Sequence, residues 1–241
     1  MIKYIFMTLL LFTNPSLFAD DNNRSINLSL ASLQSSEMLE DDQIIDKTLN
    51  RYKGTIASLY KRHQATRAAL ALIEAKFEKA GIPPYFALVP YAESKFNASS
   101  KGCGSVGLWQ FGKQTACNFG LIVKKKKDER LNASRSTDAA IRYIKYLKKE
   151  FGSWYLADFA YAMGEGKLKK LIAKNDSDEM SVLLKDPEFP KGTKAHFAKT
   201  VLLDAKINYY KADEVEEEII VVRDEEQAKD EVSNSEDVKA N

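Results

Sequence analysis

The chain of 241 residues is long enough for one substantial hydrophobic core with extensions, because 44% of its residues are hydrophobic. Its formal net charge of +2 hides a sharp division. Twelve acidic and three basic residues follow Lys211, so this tail carries −9 and residues 1–211 carry +11. The basic part suits an anionic polymer. Its aromatic residues do not interleave with basic ones as a base-stacking face requires, which argues against nucleic acid as the partner.

The first 19 residues have the pattern of a secretory signal peptide. Lys3 precedes an apolar run from Tyr4 to Phe12, and Ala19 offers a small residue for cleavage. The apolar run is too short to cross a bilayer comfortably, so we expect no stable membrane span in the mature chain. The sequence therefore predicts an exported protein of the periplasm or cell envelope.

The composition at the two ends predicts extensions around one folded domain. Residues 20–49 are rich in Asp, Ser and Asn and are predicted to form a linker or an N-terminal arm. Residues 212–241 are charged and nearly free of aromatic residues, so we expect an acidic, disordered tail. The catalytic domain is predicted for residues 50–211.

The domain has the periodicity of an all-α fold, since no alternating strand pattern of useful length occurs. Apolar residues from Ile56 to Phe77 predict a helix ending near Gly81. The next predicted helix opens at Pro83 and Pro84 and runs to Glu93 and Ser94. Further helices are predicted from residues 105–107 to the stop at Gly120, from a cap at Thr137 and Asp138 to Gly152, over Trp154–Met163, and over residues 194–209.

A lone glutamate, Glu93, interrupts the apolar run from Tyr85 to Ala92. Burial disfavours the charged form of a carboxylate, and a carboxyl group in such a place suits a general acid. The alternative is an ordinary helix-end acid that pairs with Lys95 or Lys101. The pattern alone leaves both interpretations open.

Three motifs in the same order resemble the soluble lytic transglycosylase family, whose catalytic domain is similar to goose-type lysozyme. They are Glu93–Ser94, then Gly107–Gln110 (Gly-Leu-Trp-Gln), and then Ala160–Gly164. The third motif matches the family's Ala-Tyr-Asn-Ala-Gly imperfectly, because Ala162 and Met163 replace the asparagine and the alanine. The surrounding segments look like the membrane-bound D-type branch. The resemblance covers about residues 50–210 and implies an all-α, lysozyme-like fold.

The resemblance also implies an activity. A member of this family cleaves the β-1,4 bond between N-acetylmuramic acid and N-acetylglucosamine in peptidoglycan, with Glu93 as the single acid and base, and forms a 1,6-anhydromuramoyl end. One alternative is a hydrolase similar to goose-type lysozyme. Another is a catalytically weak peptidoglycan-binding or scaffold protein, which Ala162 in the third motif favours. Peptidoglycan glycan strands are the expected partner, with no cofactor and no identifiable protein partner.

Four further residues are assigned to substrate binding on the same resemblance, each with a structural alternative. Ser94 is expected to orient Glu93 or to be an ordinary helix-end serine. Gln110 is expected to bind a sugar hydroxyl or acetamido group, or to satisfy backbone groups. Tyr161 is expected to reach toward Glu93 or to be a core aromatic. Glu165 corresponds to the family's second glutamate and is expected to pair with a basic side chain rather than to catalyse.

The two cysteines, Cys103 and Cys117, flank the second motif. In an oxidising compartment they are predicted to form a disulfide, and the alternative is two small buried thiols. His63 and His196 lie far from them in the sequence, and the spacing does not resemble a zinc site. No metal is predicted.

Overall fold

A computed structural model describes residues 21–33, 43–52, 61 and 66–207 of the chain. The predicted signal peptide and the predicted acidic tail lie outside these residues. Helices account for most of the described part, and its strands form two short hairpins. The prediction of an all-α fold is therefore confirmed.

Two N-terminal helices occupy part of the segment that was predicted to be a linker or arm. They are α1 (Asp21–Ser32) and α2 (Gln43–Asn50). Leu30, Leu33 and Leu49 are almost fully buried and belong to the hydrophobic core. The described part of residues 20–49 is thus a packed part of the fold, because these three leucines are buried. The polar composition of the segment concealed this role.

The helix that leads toward Glu93 is α3 (Arg67–Ala80), which ends where the sequence predicts. Gly81 takes the left-handed conformation with φ 66°, and its N–H bonds to the carbonyls of Glu78 and Phe77. A 3-10 helix (Pro84–Leu88) and α4 (Val89–Ser94) follow directly. The predicted proline-initiated helix therefore exists, and its first turns are 3-10.

Helix α4 ends in an unusual turn behind Glu93. Lys95 and Phe96 both have positive φ, 54° and 59°, although neither is glycine. The N–H of Lys95 bonds to the carbonyl of Tyr91 at 3.0 Å, and the N–H of Phe96 bonds to that of Pro90 at 3.2 Å. This pattern satisfies the last carbonyls of the helix and reverses the chain directly after the glutamate.

The second motif lies in a hairpin and not in the predicted helix near residues 105–107. Strands β1 (Ser105–Val106) and β2 (Phe111–Gly112) pair antiparallel. Gly107 with φ 87° and Gln110 with φ 47° occupy the turn, and neither angle fits a helix. Helix α5 (Lys113–Asn118) begins only after the hairpin. A second hairpin, β3 (Val123–Lys124) with β4 (Lys127–Asp128), leads into a 3-10 turn over Glu129–Leu131.

The C-terminal half is a set of packed helices, α6 (Ala133–Phe151), α7 (Trp154–Met163), α8 (Glu165–Asn175), α9 (Met180–Lys185) and α10 (residues 191–207). Helix α6 starts before the predicted cap at Thr137, because the Asn132 side chain accepts a hydrogen bond from the N–H of Arg135 at 2.9 Å. Helix α7 has the predicted bounds, with Ser153 as its cap. Helices α8 and α9 were not predicted, and α2 packs against α9.

The core joins α3, α6 and α7 around Trp109 of the second motif. Trp109 is 1% exposed, and its ring stacks on Phe77 with 5.6 Å between the centroids. Its Nε1–H donates to Thr137 Oγ1 at 3.1 Å. The indole therefore fixes the hairpin to the helical core. Across the described residues, no helix combines the length and the apolar character that a membrane span requires.

Candidate active site

Glu93 occupies the last turn of α4, at the end of a buried segment. Tyr85 through Tyr91 are buried, so the backbone that carries Glu93 is fixed by the core. The Glu93 side chain itself keeps 26% of its surface exposed. It is therefore held by the core on one side and accessible to a bound molecule on the other.

The partner of Glu93 is a histidine from α10, not Lys95 or Lys101. Glu93 Oε1 lies 3.2 Å from His196 Nδ1. On the other edge of the ring, His196 Nε2 lies 3.0 Å from Asp158 Oδ1 on α7. Glu93, His196 and Asp158 thus form one chain of hydrogen bonds across three helices, which we call the acid–histidine chain.

The electrostatics of this chain favour a charged imidazole. Burial by itself lowers the pKa of His196, but the charges and hydrogen bonds of Asp158 and Glu93 outweigh it and raise the pKa to about 10. The histidine side chain is 7% exposed. With both ring nitrogens protonated, Nε2 donates to Asp158 and Nδ1 donates to Glu93.

Asp158 is the buried end of the chain. It is 0% exposed, and its Oδ2 makes no hydrogen bond to the part of the chain that the structure describes. Tyr85 is buried beside it, and both burial and the charge of Asp158 raise the pKa of Tyr85 well above its ordinary value. Since buried carboxylates require a partner, His196 is the group that makes Asp158 tolerable in the core.

The second motif is fixed by three successive carbonyls, each of which accepts a side-chain hydrogen bond. Gly107 O accepts from Gln110 Nε2 at 2.7 Å. Leu108 O accepts from Ser94 Oγ at 2.8 Å, and Trp109 O accepts from Tyr161 Oη at 2.6 Å. Ser94 and Tyr161 therefore tie the hairpin to α4 and α7, and Ser94 lies next to Glu93 in the sequence.

The amide of Gln110 is occupied within the hairpin. Its Oε1 accepts from Ser105 Oγ at 2.9 Å, and its Nε2 also lies 3.3 Å from Ser100 O. These contacts match the structural alternative for Gln110, the satisfaction of backbone groups. Sugar binding by this residue stays a prediction.

Tyr161 lies near Glu93 without donating to it, since its proton goes to Trp109 O. Burial raises the pKa of Tyr161 well above its ordinary value, and the charge of Glu93 adds to the effect. The ring also contacts Tyr143, with 5.6 Å between centroids. The group within hydrogen-bonding distance of Glu93 is His196, and the role of Tyr161 in substrate binding stays a prediction.

Glu165, the first residue of α8, accepts a hydrogen bond from Tyr146 Oη at 2.9 Å. Burial first and the charge of Glu165 second raise the pKa of the neighbouring Tyr143. The partner of Glu165 is thus a tyrosine and not the expected basic side chain. Its role in substrate binding stays a prediction.

The remaining site predictions concern the loop around the second motif. Cys103 and Cys117 are both exposed and are not bonded to each other in the structure, so their disulfide stays a prediction. Gly107 approaches the backbone of Arg130 closely, and Arg130 is held by Asp128 with a contact of 2.7 Å. Among the described residues, no cluster of histidine, cysteine, aspartate and glutamate could hold a metal ion.

The sequence analysis missed His196 and Asp158. His196 is more than a hundred positions from Glu93 in the chain, and Asp158 lies in a helix that otherwise reads as apolar core. One signal was available, because an aspartate on the buried face of α7 requires a partner and the chain has only two histidines.

The fold and the site together define a helical domain with one accessible carboxylate held in place by buried polar groups. Residues 70–183 match the family model of the transglycosylase SLT domain. For these residues, the predicted family and the predicted lysozyme-like fold are both confirmed. His196 lies beyond residue 183, where the match ends.

The chain is also similar to three curated proteins, two of which are named as transglycosylases. The chain is 32% identical over 133 residues to the membrane-bound lytic murein transglycosylase D of Escherichia coli strains K12 and CFT073. It is 34% identical over 130 residues to a protein named "Putative tributyltin chloride resistance protein" from Alteromonas sp. strain M-1. The matches cover 54% and 52% of this chain, but only 29% of the Escherichia coli proteins and 63% of the Alteromonas protein.

Proposed function

We propose that the protein is a peptidoglycan lytic transglycosylase that cleaves the β-1,4 bond between N-acetylmuramic acid and N-acetylglucosamine. The observation that carries the proposal is Glu93, an accessible carboxyl group that lies 3.2 Å from His196 and directly precedes Ser94, which bonds to the second motif. It lies in a domain of the transglycosylase SLT family. Exported location, in the periplasm or cell envelope, is part of the proposal because the polymer lies there.

In the proposed reaction Glu93 acts twice. It first donates a proton to the bridging oxygen, so that the bond from this oxygen to the anomeric carbon of the muramoyl residue breaks. The muramoyl 6-hydroxyl oxygen then bonds to the anomeric carbon, and its proton returns to Glu93. No water is consumed, and the product ends in a 1,6-anhydro ring. Acid–base catalysis by one positioned carboxyl group contributes about 10²–10⁴-fold.

Hydrolysis by a lysozyme-like route needs a positioned water and usually a second carboxylate. Asp158 is the acidic group that the structure links to Glu93, but it is 0% exposed and cannot contact a sugar or a water at the surface. Glu165 accepts a hydrogen bond from Tyr146. These contacts support transglycosylation over hydrolysis.

The test is digestion of purified sacculi with the purified protein, followed by mass spectrometry before and after borohydride reduction. A transglycosylase releases muropeptides that are lighter by one water than lysozyme products and that borohydride does not reduce. Mainly reducible products would replace the proposal with the hydrolase. Binding to sacculi without any release would replace it with the scaffold protein.

The Glu93→Gln variant assigns the chemistry to this residue. We expect it to fold and to bind sacculi while product release falls at least 10²-fold, because the amide cannot donate and recover a proton. Glu78, an exposed glutamate of α3, provides the matched control, and Glu78→Gln is expected to keep wild-type activity. Wild-type release by a folded Glu93→Gln protein would show that another group is the acid.

A further inference from the structure

Two members of the acid–histidine chain, His196 and Asp158, lie outside the three motifs that resemble the family. Its middle member, His196, lies on α10 beyond the matched residues 70–183. The proton-transfer scheme above requires only Glu93 and a substrate. The buried histidine and aspartate behind it therefore call for a separate explanation.

We propose that His196, kept as an imidazolium by the buried carboxylate of Asp158, is the positioning residue that orients Glu93 and stabilises its ionised form during the reaction. This inference rests on the proposed function of Glu93. His196 touches neither the substrate nor the reacting atoms, and it keeps both of its protons throughout. It acts on catalysis through the glutamate.

The contacts of the His196 ring fix the orientation of Glu93. The ring is fixed at both edges, by 3.0 Å to Asp158 Oδ1 and by 3.2 Å to Glu93 Oε1. Because His196 binds Oε1, the free oxygen of Glu93 is Oε2, and 26% of the side chain remains exposed. The histidine thus selects which carboxylate oxygen faces a bound sugar, and such positioning is a large part of enzymatic rate enhancement.

The charge of His196 stabilises the ionised form of Glu93. A buried carboxylate next to an imidazole favours the protonated ring, and Asp158 is the more buried of the two acids. Once Glu93 has given up its proton, a cation 3.2 Å away stabilises the new carboxylate. Activity is therefore expected to fall as the pH rises toward about 10, because the His196 cation is lost there.

The surroundings of the ring add no competing charge that the structure records. The charged groups acting on His196 are Asp158 from α7 and Glu93 from α4. Tyr85 and Tyr161, which face the same carboxylates, are neutral because burial first and these charges second raise their pKa values. Asp204, on α10 itself, acts on Tyr85.

The first experiment measures the charge of His196 directly, by NMR of the imidazole nitrogens as a function of pH. The chain has two histidines, so two pairs of ring-nitrogen signals are expected, and a His63→Gln variant assigns them. We expect His196 to stay protonated through pH 8, since its pKa is about 10 against an ordinary value of 6.5. Asp158→Asn and Glu93→Gln are each expected to lower the titration midpoint, and Asp158→Asn by more.

The second experiment measures the consequence for catalysis. His196→Asn places an amide near the position of Nδ1, so it keeps a neutral donor toward Glu93 and removes the charge. We expect kcat to fall about 10–100-fold with little change in KM. The loss of activity at alkaline pH that accompanies deprotonation of His196 is expected to be absent from the pH profile of His196→Asn. Asp158→Asn is expected to move that loss to lower pH, because Asp158 raises the pKa of His196.

The matched control is Asp186→Asn. Asp186 is also a buried aspartate, with a contact of 3.0 Å to Lys174 in place of a histidine. Its substitution is expected to lower stability but to leave the pH profile unchanged. A loss of activity that merely reflects a weakened core would appear in this variant too.

The outcomes separate this inference from the proposed function. A His196 signal that titrates near 6.5 and ignores Asp158→Asn would overturn the inference, even if Glu93→Gln is inactive. Wild-type pH profiles in His196→Asn and Asp158→Asn would do the same. An active Glu93→Gln protein would instead refute the proposed function, while the NMR result on His196 would stand by itself.

Discussion

The close approach of Gly107 to Arg130 gives a sharp prediction for the Gly107→Ala substitution. A Cβ at Gly107 would lie 1.9 Å from Arg130 O and 2.7 Å from Arg130 C, and the φ of 87° is unfavourable for alanine. The conformation costs about 1–2 kcal/mol, and the overpacking about 1–3 kcal/mol. We therefore expect a loss of about 2–5 kcal/mol in the free energy of unfolding.

Arg130 cannot easily move away. Its guanidinium donates to Asp128 at 2.7 Å and 2.9 Å, and to Phe111 O at 3.1 Å. The hairpin has to shift instead, by at least about 1 Å, since a real Cβ essentially never lies within 3.0 Å of such an atom. Such a shift pulls Leu108 O away from Ser94, and a displacement of this size costs up to about 10²-fold in rate.

Gly104→Ala is the matched control, because Gly104 has φ 86° in the same loop but nothing within 4 Å of the added Cβ. It is expected to lose about 1–2 kcal/mol from the conformation alone. Urea unfolding of both variants, with muropeptide release as the activity measurement, isolates the effect of the contact. Equal stability of the two variants would refute the reasoning, as would a Gly107→Ala protein of full activity.

Three further outcomes follow from individual contacts. Ser94→Ala leaves Leu108 O without its 2.8 Å bond, so we expect a loss of about 1–3 kcal/mol in urea unfolding together with reduced kcat. Lys95→Gly removes the cost of a non-glycine residue at φ 54° and is expected to stabilise the fold by about 0.5–1 kcal/mol, measured in the same way. The raised pKa of His196 contributes stability that is complete below about pH 6.5 and is lost as the pH rises through about 10. Denaturation measured across this range should show a loss of at most about 5 kcal/mol in the free energy of unfolding. This loss should be absent in His196→Gln.

The helices that local signals mark were predicted well. Gly81 stops α3 and Ser153 caps α7, and in both cases the signal lies within a few residues of the helix end. The hairpin around the second motif was wrongly predicted as a helix. Its turn brings Gly107 close to the backbone of Arg130, which is 23 positions further along the chain. Such an approach leaves no local pattern in the sequence.

The residues of the candidate site also differ in whether a local signal identified them. Glu93 was identifiable because it interrupts an apolar run and matches a family motif. His196 was not, since its partners come from α4 and α7 and its own helix segment reads as ordinary core. The predicted roles of Ser94 and Gln110 also depended on three-dimensional contacts, and the structure places both in the hydrogen bonds that fix the hairpin.

Glu93 is thus positioned from two sides by contacts of different kinds. On one side, neutral hydrogen bonds from Ser94 and Tyr161 set where the hairpin lies relative to α4. On the other side, the charge of His196, which Asp158 maintains, stabilises the carboxylate that forms when Glu93 gives up its proton. Ser94→Ala removes a neutral hydrogen bond and should lower kcat without changing the pH profile, because the position of the hairpin changes and the charge of His196 does not. Asp158→Asn changes that charge and should move the pH profile. Measuring rate against pH in the two variants therefore separates the two contributions.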